Sequence, residues 1–127
     1  MFEQDYIMRL IREMVRAILK LLFGIDTVDI PSSQLLKNTK DQKTVNKLLE
    51  KIRNGQINEA ENKLYELIED RTMDNLMIGL IFYSCLNEMD DDFLVTNDFN
   101  RDEVKEGVKY LATKYGLENM TEIFLFD

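Results

Sequence analysis

Asp98, Asn100 and Asp102 stand at alternate positions of the chain, the spacing at which an EF-hand loop offers its first three calcium ligands. Such a loop also needs glycine at its sixth position and a bidentate glutamate at its twelfth; Glu103 and Lys109 stand there instead. A lysine ammonium would put positive charge where the cation's strongest ligand belongs, so these residues read as the cap of a helix. Asp90-Asp91-Asp92 is the densest run of carboxylates. Consecutive residues of a helix or turn point in different directions, so the run reads as a solvated acidic turn rather than a ligand set. Cys85 is the single cysteine, and the chain has no histidine. Ser/His/Asp and Cys/His triads are therefore excluded, along with the usual general base and the commonest zinc ligand. Five scattered glycines form no phosphate-cradling loop. No catalytic, cofactor-binding or metal-binding residue is expected, and the chain reads as a protein without enzymatic activity.

What remains is the chemistry of surfaces. The 127 residues carry 16 basic and 24 acidic groups, a net charge of −8. Residues 1–63 hold 11 basic and 9 acidic groups, while residues 64–127 hold 5 and 15. So acidic a half repels phosphate backbones, which excludes nucleic acid as a general partner. The sign difference between the halves would orient a partner or a second copy of the chain. Arg9, Arg12, Arg16 and Lys20 form a basic stripe opposite Ile7, Ile11, Met14 and Ile18. That pattern suits a helix lying on an anionic membrane and equally an amphipathic helix buried in a bundle. Asp5 and Glu13 dilute the stripe, and the bundle is the preferred reading. No uncharged stretch approaches the ~20 residues a membrane span needs, and charges interrupt the N-terminal segment where a secretory signal would be apolar. A cytoplasmic setting with reduced Cys85 is the expectation.

Helical periodicity runs through the chain and predicts one domain over residues 1–127. An amphipathic first helix occupies residues 1–24, with Phe2 to Phe23 helical and Gly24 as its cap. An irregular connector follows over residues 25–41, where Pro31 forces a turn and Ser32 or Ser33 caps a short helical turn. Residues 42–127 hold the helical core and a docked tail. There, Thr39-Lys-Asp-Gln42 has capping-box spacing, and Val45, Leu48, Leu49 and Ile52 form one apolar face. Asn54-Gly55 stops that helix, and the next one carries Ile57, Ala60, Leu64, Leu67 and Ile68. So short a loop makes an antiparallel hairpin. A helix capped by Thr72 or Asp74 is apolar on nearly all sides from Leu76 to Leu86, which makes it the central element, with Gly79 allowing a close neighbour. Its acidic end, Glu88 to Asp92, opposes the helix dipole and should fray or turn away. A last helix starts at Asn100, buries Val104, Val108, Leu111 and Ala112, and closes at Gly116-Leu117. The segment from Met120 to Phe126 is too apolar to hang free.

Two stretches carry resemblances. Residues 43–69 resemble one tetratricopeptide-type helix pair, with Gly55 in the tight turn, Ala60 as the small residue that permits close approach and Leu64 as the large residue one turn on. Leu48, Lys51, Leu67 and Thr72 depart from that family's pattern, and one copy is present. The N-terminal words Phe2-Glu-Gln-Asp5-Tyr6-Ile7-Met8-Arg9, with Ile11 and Met14, resemble a family of small uncharacterised helical proteins of low-GC Gram-positive bacteria. That resemblance implies a bacterial cytosolic helical protein and carries over no catalytic residue.

The fold expected is therefore all-α: about five helices, with antiparallel hairpins packed in a tetratricopeptide-like manner around a central apolar helix. The function expected is a non-enzymatic protein–protein interaction module, with Ile7, Leu10, Arg12, Phe124 and Phe126 at the contact and no cofactor or metal. A homodimer is the simplest partner, because complementary charge halves suit a two-fold interface. The alternative is a peripheral membrane-surface binder acting through the first helix.

Overall fold

The computed structural model describes residues 2–26 and 35–125. Among them are seven α-helices and no strand: α1 (Phe2–Phe23), α2 (Thr39–Arg53), α3 (Ile57–Leu67), α4 (Met73–Asn87), α5 (Asp91–Thr96), α6 (Arg101–Lys114) and α7 (Glu118–Phe124). The all-α class and the span of α1 follow the expectation. The turn predicted at Pro31, the cap predicted at Ser32 or Ser33, and Phe126 lie outside the described residues.

Seven helices stand where five are predicted, and each addition has a physical reason. The acidic run does not fray the end of α4. Asp90 is extended, and Asp91 and Asp92 fill the first turn of α5, where free N–H groups and the dipole favour carboxylates. The apolar tail forms α7, which lies against α1 and α6 and buries Leu125. The cap of α2 is also one residue earlier than predicted. The Asn38 side chain accepts from the Lys40 N–H at 2.7 Å, and Gln42 reaches back to donate to the Leu36 carbonyl at 2.6 Å.

The other helix ends follow local sequence. Thr72 caps α4 by accepting from the Asn75 N–H at 3.1 Å, and Asn100 caps α6 by accepting from the Glu103 N–H at 2.9 Å. At the end of α6, Gly116 takes φ +72° while the Leu117 N–H bonds the Ala112 carbonyl at 2.8 Å. The Gly116 N–H bonds the Thr113 carbonyl at 3.1 Å, which completes a Schellman ending. The same pattern closes α2 at Gly55. It closes α5 at Asp98, whose φ of +62° is the one left-handed non-glycine among the described residues.

The core is built around α4. Every residue from Asn75 to Tyr83 is buried, as are Leu86 and Asn87. A helix with no polar face has to be enclosed, and α1, α2 and α6 all pack on it. Two glycines set the closeness on one side. A Cβ on Gly79 would lie 2.8 Å from Leu111 of α6, and one on Gly107 of α6 would lie 2.4 Å from the Tyr83 ring. The α2–α3 hairpin closes the other side with Val45, Leu48, Leu49 and Ile52 from α2 and Ile57, Ala60 and Leu64 from α3.

One charge lies inside this apolar frame. Arg101, only 2% exposed, opens α6. Its guanidinium donates to the Asn87 carbonyl at 2.7 Å, the Met89 carbonyl at 2.7 Å and Asp91 Oδ1 at 2.7 and 3.2 Å. The cation thus sits on the carbonyl end of α4, where the dipole is negative, and ties α4, α5 and α6 together. Arg101→Ala strands two carbonyls and a carboxylate, and is expected to cost about 3 kcal/mol in urea unfolding. Arg101→Lys, a point donor in place of a planar fork, should recover less than half of that loss. An Ala variant within about 0.5 kcal/mol of the parent would contradict this role.

Candidate functional site

Helix α1 has two flanks, and each presents a candidate contact. On one flank a cleft of about 430 Å³ lies between α1 and α4. Its walls are Ile11, Val15 and Leu19 of α1, Leu35 ahead of α2, Leu49 of α2, and Leu80 and Ile81 of α4. Arg12 and Arg16 stand on its α1 side, and Ser84, Cys85, Asn87 and Glu88 line it from α4. Arg12 Nη2 meets Glu88 Oε2 at 2.9 Å, in an exposed pair worth about 1 kcal/mol or less. Arg16 is exposed and makes no ion pair among the described residues. Asn87 is 1% exposed; its Nδ2 donates to the Met8 carbonyl at 2.9 Å, while its Oδ1 is buried without a hydrogen-bond partner. Burial pushes the Cys85 thiol above its ordinary range; nearby Arg53 pulls it back in part and Glu88 adds to the rise.

On the other flank α7 lies against α1. Ile7 and Leu10 of α1 and Phe124 of α7, three of the residues singled out for partner contact, are half-buried against the core. Tyr6 on α1 and Ile123 on α7 stay exposed, at 47% and 64%. Arg12, the fourth of those residues, belongs to the rim of the α1–α4 cleft instead. The structure therefore sets Arg12, at a cleft rim, apart from the half-buried Ile7, Leu10 and Phe124.

The residues tested for calcium binding serve the backbone. Asp98 takes the left-handed position after α5, and its carbonyl accepts from Asn58 Nδ2 at 3.0 Å; Asn100 caps α6. Among the described residues, no three acidic or cysteine side chains converge on a common point.

A cluster that the sequence reading did not single out joins α3, α4 and α6. Tyr83 Oη, in a side chain 1% exposed, donates to Glu61 Oε2 at 2.7 Å. The Tyr65 and Tyr110 rings meet at 4.8 Å between centroids. Burial holds the Glu61 carboxyl above the usual carboxylate range, against the pull of the Tyr83 and Tyr65 hydroxyls, and Glu103 adds to the rise. Tyr65 is pushed up to about 12 by burial and then by Glu61. Burial and the same carboxylate push Tyr83 further still.

A carboxyl raised in the fold contributes stability below its unfolded value, and loses that contribution as pH climbs through its folded value. Glu61→Gln keeps an acceptor for Tyr83 and removes that loss. The variant should unfold at a higher urea concentration than the parent at neutral pH, with the gap narrowing as the buffer is acidified. A lower midpoint at neutral pH would contradict the burial of this carboxyl.

No curated protein and no solved structure matches the chain. A family model does match, over residues 1–116. Its span takes in α1 with both flanks, the α2–α3 hairpin, α4 with the cleft residues, α5 and all of α6. It stops short of α7, so the helix that covers one flank of α1 lies beyond the shared region. On that match the chain belongs to a family of unknown function, DUF6483.

Proposed function

We propose that this chain is a non-enzymatic helical module that binds a protein partner at the α1–α7 flank, and that the simplest partner is a second copy of itself. The observation that carries the reading is the exposure of Tyr6 on α1 and Ile123 on α7, two helices that pack together, with Ile7, Leu10 and Phe124 of the same helices only half-buried. Apolar side chains left half-covered at a helix seam gain by meeting another surface. The uneven charge of the two halves of the chain supports the two-fold arrangement, since each basic half would face an acidic one. The absence of histidine supports the non-enzymatic reading.

Two finer elements belong to the same proposal. One is a tetratricopeptide-like packing of the α2–α3 hairpin, supported by Gly55 in its turn and Ala60 buried in its interior. The other is a bacterial cytoplasmic setting, supported by the resemblance of the first helix and by the single cysteine. Among the described residues no helix is long and apolar enough to cross a membrane. The protein reading is favoured over a membrane-surface one because Ile11, Met14 and Ile18, which would enter the lipid, are engaged in the chain's own core.

Sedimentation equilibrium at high micromolar concentration tests the proposal. The parent should sediment as a dimer that weakens with added salt. Ile123→Asp should shift it to monomer without altering the helical circular dichroism signal. A parent that stays monomeric under these conditions would overturn the self-association.

A further inference from the structure

The α1–α4 cleft differs in chemistry from the flank just discussed, and nothing in the proposed function uses it. We propose that it binds a single-chain anionic amphiphile: an acyl chain that ends in a carboxylate.

Two observations converge on that ligand. The first is shape and polarity. At about 430 Å³ the cleft falls in the range of small-molecule sites. Its aliphatic walls, drawn from three helices and from Leu35, offer water few hydrogen bonds. From Ile11 to Leu19 the α1 wall rises about 12 Å at 1.5 Å per residue, room for a medium-length alkyl chain lying along the helix.

The second is charge. Arg12 and Arg16 are one turn apart and share one side of α1 at the rim. Glu88 engages Arg12, whereas Arg16 has no anionic partner among the described residues. A ligand carboxylate supplies one.

The polar features also stand together. Met8 meets Asn87 and Arg12 meets Glu88, while Leu19 and Leu80 line the cleft about two turns from Arg12 and Asn87 on their helices. One end of the cleft is therefore polar and the other aliphatic, which is the order of groups along an amphiphile.

Cys85, the chain's single cysteine, lines the same cleft and reports its occupancy. The probe is dodecanoate, used as monomer below its micelle concentration. Titration calorimetry on the full chain should show saturable binding to one site, and the probe should slow alkylation of Cys85 by N-ethylmaleimide. Dodecylammonium should give no protection. Arg16→Glu alters an exposed residue with no ion pair among the described residues and should weaken the probe by about fivefold or more. Ser84→Phe should fill the cleft and abolish binding. Should that variant fail to fold, Arg16→Glu decides alone. Arg9→Glu, outside the cleft on the same helix, should leave binding unchanged.

Absence of saturable binding by the folded parent would overturn the proposal. So would equal affinity for dodecylammonium, or unaltered binding by Arg16→Glu. Protection of Cys85 by phosphatidylglycerol vesicles, with none from the monomeric probe, would overturn the assignment to a free ligand. Because these readouts are independent of self-association, they fail or succeed separately from the dimer.

Discussion

A helix with no face that tolerates water dictates the rest of this structure. From Asn75 to Tyr83 every position of α4 is buried. Burying a large aliphatic or aromatic side chain is worth about 1.5–3 kcal/mol, so leaving any side of α4 bare would forfeit several such contributions. The surrounding helices supply the cover, each through a stripe of its own: Ile11, Met14 and Ile18 from α1, Val45, Leu49 and Ile52 from α2, Val104, Val108 and Leu111 from α6. Gly79 and Gly107 set the closest approach, because a methyl group at either would collide with Leu111 or Tyr83. The cleft follows from the same constraint. It lies between α1 and α4, with Leu80 and Ile81 in its wall.

The C-terminal end of α4 is the polar counterpart of that apolar rod. The carbonyls of Asn87 and Met89 meet Arg101, Asp91 joins the same guanidinium, and Asn87 Nδ2 reaches back to Met8 of α1. One cation and one amide thus join four helices at a single junction. The same amide forms part of the cleft wall, so the register of α1 against α4 and the shape of the cleft depend on common atoms. Fold and site are coupled here through hydrogen bonds, which demand direction, rather than through apolar contact alone, which does not.

Much of this was readable in the chain because helical periodicity and capping chemistry are local. The buried stripes of α2, α3 and α6, the caps at Thr72 and Asn100 and the ending at Gly116 all follow from residues within a few positions of one another. Where the reading departed, the deciding contact came from elsewhere or the local signal had two meanings. The Asp90–Asp92 run is wrong for the end of one helix and right for the start of the next, and the boundary between them decided which. Arg101 carried an overlooked signal: a cation in the first helical turn opposes the dipole, which implies a partner outside its own helix. Asn87 carried none, since an asparagine at a helix end is ordinary. The pairing of Glu61 with Tyr83 spans 22 positions and required the packing of α3 on α4. The contact residues named from the first helix and tail were a set in sequence; the structure separates Arg12, at the rim of the cleft, from Ile7, Leu10 and Phe124, which are half-buried against the core.

The account stands on α4 being the last element to lose its protection from water. Native-state hydrogen exchange resolved by residue measures that directly. Amides from Leu76 to Tyr83 should exchange only through global unfolding, with protection that falls in step with stability as denaturant is added. Those of α5 and α7 should exchange through smaller local openings. If the α4 amides exchange as fast as those of α7, or show no dependence on denaturant, then α4 is not the centre on which the other helices are built.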